Sequence, residues 1–201
     1  MPSGSASYKA LRARLDDLKG RFLSFLPPPP ESKTDYTPQE LDWTRSYVVL
    51  AHAEIEMFCE DLALEKAKLV KDGFDQSQTV TPVLRKLVTY YVGKQRESWR
   101  ETITPSSNLV ASAYASYKGG IDANNGIKEN NLKLLFHPLG VMDMGTAWVA
   151  AMSAFGTKRG ELAHKGIKAQ SQLDAHTELQ RVERDLMPGL LELDRKMRAL
   201  R

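Results

Sequence analysis

The chain has 201 residues, of which 42% are hydrophobic and 26% charged, and it carries a net charge of +3. That is one domain's worth of ordinary globular sequence, long enough to bury a core. The single cysteine, Cys59, excludes an internal disulfide framework and a cysteine-rich zinc site. No apolar run approaches the roughly 18 residues of a membrane span, and the first residues lack a signal-peptide core, so a cytoplasmic location with no membrane partner is expected. The mild basicity permits a polyanion partner without demanding one.

The residues before Tyr8 are expected to be a disordered lead-in. From Tyr8 to Leu26 the residues Tyr8, Leu11, Leu15, Leu18, Phe22 and Phe25 recur at spacings of three and four, which is one face of a helix. Four prolines, Pro27 to Pro30, stop it. They read as a stiff spacer over residues 27–36, or alternatively as a ligand for a proline-binding module. Thr37-Pro38-Gln39-Glu40 is a strong helix start: Thr37 caps, Pro38 suits the first helical position, and Glu40 completes a capping box. The helix is expected to run to Asp72 and stop at Gly73. Its buried stripe reads Leu41, Arg45, Val48, His52, Ile55, Cys59, Leu62, Leu69. Arg45 and His52 are ionisable groups within an apolar stripe, where an isolated charge is costly. They form either a satisfied structural set with Glu56, one turn from His52, or the lining of a polar cavity.

A third helix is expected from Thr79 to Trp99, beginning near Thr81-Pro82. Lys86, Lys94, Arg96 and Arg100 interleave there with Tyr90, Tyr91 and Trp99, as on an RNA-contacting face or on a solvated face with half-buried tyrosines. Further helices are expected over Ser106–Lys118, ended by Gly119-Gly120, over Ile127–Phe136 after an Asn124-Asn125-Gly126 turn, and over Asp143–Phe155. Gly156 is then expected to break the chain, and Thr157 to cap a new helix carrying Arg159 and His164. From Asp174 onward Leu179, Val182, Leu186, Leu190, Leu193, Met197 and Leu200 keep helical spacing, with Pro188-Gly189 as an expected kink. No alternating strand pattern occurs. The fold class is all-α, an irregular multi-helix bundle in a single domain.

The chemistry is pruned by what is missing. The sequence has no glycine-rich phosphate loop, no His-Glu-x-x-His and no zinc-spaced His/Cys cluster, so neither a cofactor nor a metal is expected. What remains is arginine with histidine. Those two types suffice for metal-independent RNA cleavage, because the ribose supplies the nucleophile. A histidine moves protons near neutral pH, and an arginine holds the phosphate as charge grows on its oxygens. Arg159 and His164 are five residues apart, which places them about 140° apart around a regular helix. They do not share a face, so the arginine must reach round, the helix must deform, or two chains must combine.

The segment Arg159-Gly160-Glu161-Leu162-Ala163-His164-Lys165-Gly166 resembles the Arg-x(4–6)-His motif of HEPN domains. The earlier stretch Arg45 to Glu56 looks like the corresponding helix of the RiboL-PSP-HEPN branch. The resemblance implies an all-α bundle, a homodimer with the two motifs facing each other, and in many members an RNA endonuclease of toxin or antiviral-defence type. It implies that Arg159 binds the scissile phosphate and that His164 is general acid or base. Lys158 and Lys165 are candidate RNA contacts, and Arg45, His52, Glu56 and Glu161 are candidate supporting polar residues. RNA and a cognate inhibitor or defence partner protein are the implied partners. The pattern departs at Gly160, where asparagine is usual, and at Lys165, where glycine is frequent. That departure favours the alternative of a non-catalytic module binding RNA, a nucleotide or a protein.

Overall fold

Helix α2 (Pro38–Ser77) is the axis on which the other helices pack. The computed structural model describes residues 4–27, 33–95, 106–164 and 173–200, and all regular structure among them is helical. The expected capping box starts α2: Thr37 accepts from the Glu40 backbone N–H, and the Glu40 carboxylate accepts from the Thr37 N–H at 2.8 Å. The other elements are α1 (Ala6–Phe22), α3 (Pro82–Gln95), α4 (Ser107–Asp122), α5 (Glu129–Phe136) with a 3-10 turn over His137–Leu139, α6 (Thr146–His164), α7 (Ala175–Gln180) and α8 (Met187–Ala199). A π-helical turn, Arg181–Leu186, joins the last two. Each of these α-helices touches α2. This explains why α2 buries Tyr47, Ala51 and Phe58 in addition to its expected stripe.

Several expected boundaries are corrected. Helix α1 begins inside the supposed disordered lead-in, because Ser5 caps it and donates its own N–H to Asp194 at 3.0 Å. Of the proline run, Pro28 to Pro30 lie outside the described residues. Gly73 does not stop α2, which continues to bury Phe74 and ends where Gln78 turns left-handed (φ 53°). Leu69 is 65% exposed rather than core. A strict seven-residue spacing drifts off a straight helix, and the buried line passes instead through Ala63, Ala67, Val70 and Phe74. Gly119-Gly120 likewise lie within α4, which runs on to bury Ile121. Helix α5 starts at Glu129, two residues later than expected, while Ile127 is fully buried ahead of it.

The most consequential correction is at Gly156. Helix α6 passes through it unbroken, and Thr157 caps nothing, its hydroxyl donating back to the Ser153 carbonyl at 3.0 Å. Burial decides these cases. A glycine inside a helix costs up to about 1 kcal/mol, which the burial of one neighbouring large apolar side chain exceeds.

At the C-terminus the expected disturbance at Pro188 takes the form of the π turn just before it. Proline has no N–H to donate and its ring crowds the carbonyl four residues back, so the helix widens to absorb it. The Trp148 indole N–H donates to the Leu186 carbonyl at 3.0 Å. This ties the start of α6 to the C-terminal helices.

Candidate functional site

Helices α2 and α6 run antiparallel. A β-carbon built on Gly156 would lie 3.7 Å from His52 Nε2, and two turns later Ala163 lines one open groove together with Arg45. Helix α6 is regular from Gly156 to His164, so neither a fresh helix start nor a deformation brings Arg159 round to His164. Arg159 is half-buried, and His164 is exposed as the last residue of α6.

Side chains on a helix lean toward its N-terminus, which carries Arg159 back toward the part of α2 that holds His52 and Glu56. The electrostatics agree. His52 is only 1% exposed, and burial, followed by the positive charge of Arg159, pushes its imidazole down to about 4. His52 is therefore neutral at physiological pH. Burial and the neighbouring Glu60 carboxylate push Glu56 above the usual carboxylate range, with Arg159 opposing them. His52 Nδ1 stands 3.5 Å from Glu56 Oε2. His52 Nδ1 and Glu56 Oε1 are both buried without a hydrogen-bond partner among the described residues. Buried polar atoms left in that state are uncommon. Phe155 lies against the His52 ring, 6.0 Å between centroids.

The third wall is the connection between α4 and α5. Asn124 donates to Glu60 at 2.7 Å and accepts from Asn131 at 2.9 Å, which fixes this connection against α2. The Glu129 backbone N–H donates to the Ser153 hydroxyl at 3.0 Å, pinning the start of α5 on α6. Between these ties, Ile127 and Lys128 sit over Gly156, 3.6 and 3.2 Å from where its β-carbon would be. Neither residue is marked out by spacing or motif in the sequence.

The other expected site residues are distributed as follows. Arg45 is half-buried in the open groove, about 540 Å³ in volume, with Phe22, Asp42, Ser46, Val49, Leu50 and Ala163. Lys158 is half-buried, and its charge acts on Glu178, a 2% exposed carboxylate on α7 that burial raises and that Arg181 and then Lys158 lower. Lys158 thus faces α7 rather than the Arg159 side of α6. Glu161 is half-buried on α6. Lys165 and Gly166 lie outside the described residues. On α3 the aromatic residues are spent on packing: Tyr90 meets Tyr91 edge-on at 5.2 Å, and Tyr91 meets Tyr117 at 6.0 Å. Arg96, Trp99 and Arg100, the rest of that basic and aromatic pattern, lie outside the described residues, as does the Lys94 side chain. Cys59 is a buried core residue whose thiol burial pushes up, which suits a small hydrophobe rather than a nucleophile. Among the described residues, no group of three or more His, Cys, Asp or Glu is arranged to hold a metal ion, and no helix is long and apolar enough to cross a membrane.

A family model described as RiboL-PSP-HEPN matches residues 21–183, a span that includes α2, α6 and every residue of this site. No curated protein and no solved structure matches the chain.

Proposed function

The chain belongs to the RiboL-PSP-HEPN family, and from that premise we propose that it is a metal-independent endoribonuclease working at the interface of a homodimer. The observation that carries this reading is the placement of the motif on α6: Arg159 over the His52–Glu56 pair, and His164 exposed at the helix end. The 2′-oxygen attacks phosphorus and forms a new P–O bond as the bond to the 5′ oxygen breaks. One histidine takes the 2′-OH proton and another gives a proton to the leaving oxygen. A dimer supplies both, as the His164 of each chain. Arg159 holds the phosphate and stabilises the charge growing on its oxygens. Neutral His52 and Glu56 orient the Arg159 guanidinium and are not themselves proton donors to substrate. The products are a 2′,3′-cyclic phosphate and a 5′-hydroxyl. An enzyme of this kind acts as a toxin or in antiviral defence, held in check by a partner protein.

The test is incubation of the purified protein with RNA in excess chelator. Cleavage leaving cyclic phosphate ends is expected, reduced about 10²- to 10⁴-fold by His164→Ala. Equal cleavage by that variant sinks the reading. Gly160 favours the second reading, a non-catalytic HEPN module that binds RNA or a partner, for which the same assay returns binding without any hydrolysis.

A further inference from the structure

Lys128 is a cation that the α4–α5 connection sets beside the motif helix at Gly156. It occupies the N-cap position of α5 without a side-chain capping bond, and it is exposed. Its stem crosses α6 at Gly156, where the missing β-carbon leaves room: the Lys128 Cγ lies 3.2 Å from the β-carbon position. The backbone beneath it is held from two sides, by the Asn131–Asn124–Glu60 chain and by the Glu129 N–H bond to Ser153. A long flexible cation is thus delivered from a rigid base. Its ammonium makes no hydrogen bond or ion pair with any described residue, unlike Lys133 one turn on, which pairs with Glu129 at 2.5 Å.

Gly160 lies one turn further along α6, and nothing stands within 4 Å of its β-carbon position. The helix surface between Lys128 and the motif is therefore smooth and open. Four residues of helix advance about 6 Å, of the order of one nucleotide step along a strand.

We propose that Lys128 binds the phosphate next to the scissile one, so that Arg159 and Lys128 together hold two consecutive phosphates of single-stranded RNA across the open surface at Gly160. The assignment rests on the RNA reading of the Arg159 site and deepens it into a two-phosphate subsite. Lys128 contacts substrate without taking part in proton transfer.

The experiment separates this subsite from catalysis. A labelled single-stranded oligoribonucleotide is titrated into the His164→Ala protein, with and without Lys128→Ala, over a range of KCl concentrations. Removing Lys128 is expected to raise Kd about fivefold at low salt and to flatten the slope of log K against log salt by about 0.7. Lys128→Arg is expected to retain most of both. In the protein with His164 intact, Lys128→Ala is expected to slow cleavage of the oligomer but not of a dinucleotide, which carries only the scissile phosphate. Unchanged affinity and salt slope, or equal slowing on both substrates, overturns the subsite. The outcomes also part from the enzyme reading. Binding that loses its Lys128 term without any wild-type cleavage refutes catalysis and keeps the subsite, whereas cleavage indifferent to Lys128 does the reverse. Because Lys128 is exposed, its removal is expected to leave the melting temperature unchanged, which guards against misfolding as an explanation.

Discussion

His52 is where one residue's environment has the clearest consequence. In the unfolded chain its imidazole titrates near 6.5, and in the fold only near 4. As pH falls below 6.5 the unfolded state takes up a proton that the folded state refuses, so stability drops with acidification. The loss approaches on the order of 3 kcal/mol at pH 4, and above pH 6.5 the contribution is flat. His52→Leu is expected to remove this share of the acid sensitivity. Between pH 7 and pH 4.5 the urea midpoint of the wild-type protein should therefore fall further than that of His52→Leu, and parallel curves would refute the assignment. In the fold the same low value keeps His52 an uncharged neighbour for Arg159 at neutral pH.

At the scale of elements, glycine is the residue whose meaning depends most on context. Gly73, Gly119-Gly120 and Gly156 all read as helix breaks, and all lie within helices because the residues beyond them are worth burying. Gly160 and Gly189 make a matched pair for experiment. Gly160 is half-buried with open space at its β-carbon position, so Gly160→Ala is expected to stabilise α6 by about 0.5–1 kcal/mol and raise the melting temperature by about 1–4 °C. A β-carbon on Gly189 would fall 2.1 Å from Trp148 Cδ1, in a ring held by its hydrogen bond to Leu186. Gly189→Ala is expected to cost about 1–3 kcal/mol and to lower the melting temperature. Thermal melts of the two variants should move in opposite directions. A shift of the same sign for both would contradict the packing described around Trp148.

At the scale of the whole molecule, the regularity of α6 bears on how many chains make one site. Arg159 and His164 point about 140° apart on an unbroken helix, and the two remaining ways of joining them are a long reach or a second chain. The proposed site needs the His164 of both chains, so subunit exchange between equal amounts of wild-type and His164→Ala protein is expected to halve the activity of the mixture, because wild-type dimers fall from half of all dimers to a quarter. Activity unchanged by exchange would show that one chain supplies a complete site.

The sequence alone was enough for the helical class, the capping box at Thr37, the buried line from Val48 to Leu62 and the family. These are local or periodic signals, carried by residues within a few turns of one another. His52 and Glu56 were also legible as a polar pair in an apolar stripe. What the pair faces was not, because that follows from α6 lying antiparallel to α2 with a glycine at the crossing. The lengths of α2, α4 and α6 were decided by burial at Phe74, Ile121 and along the α2–α6 contact, which outweighs the local preference of glycine to end a helix. Lys128 carries no signal in the chain. It reaches the motif helix only because Asn124, Asn131 and Ser153 hold the α4–α5 connection there, through contacts between residues far apart in sequence. Helical periodicity is written along one segment, whereas a site assembled from three segments exists only once those segments have packed.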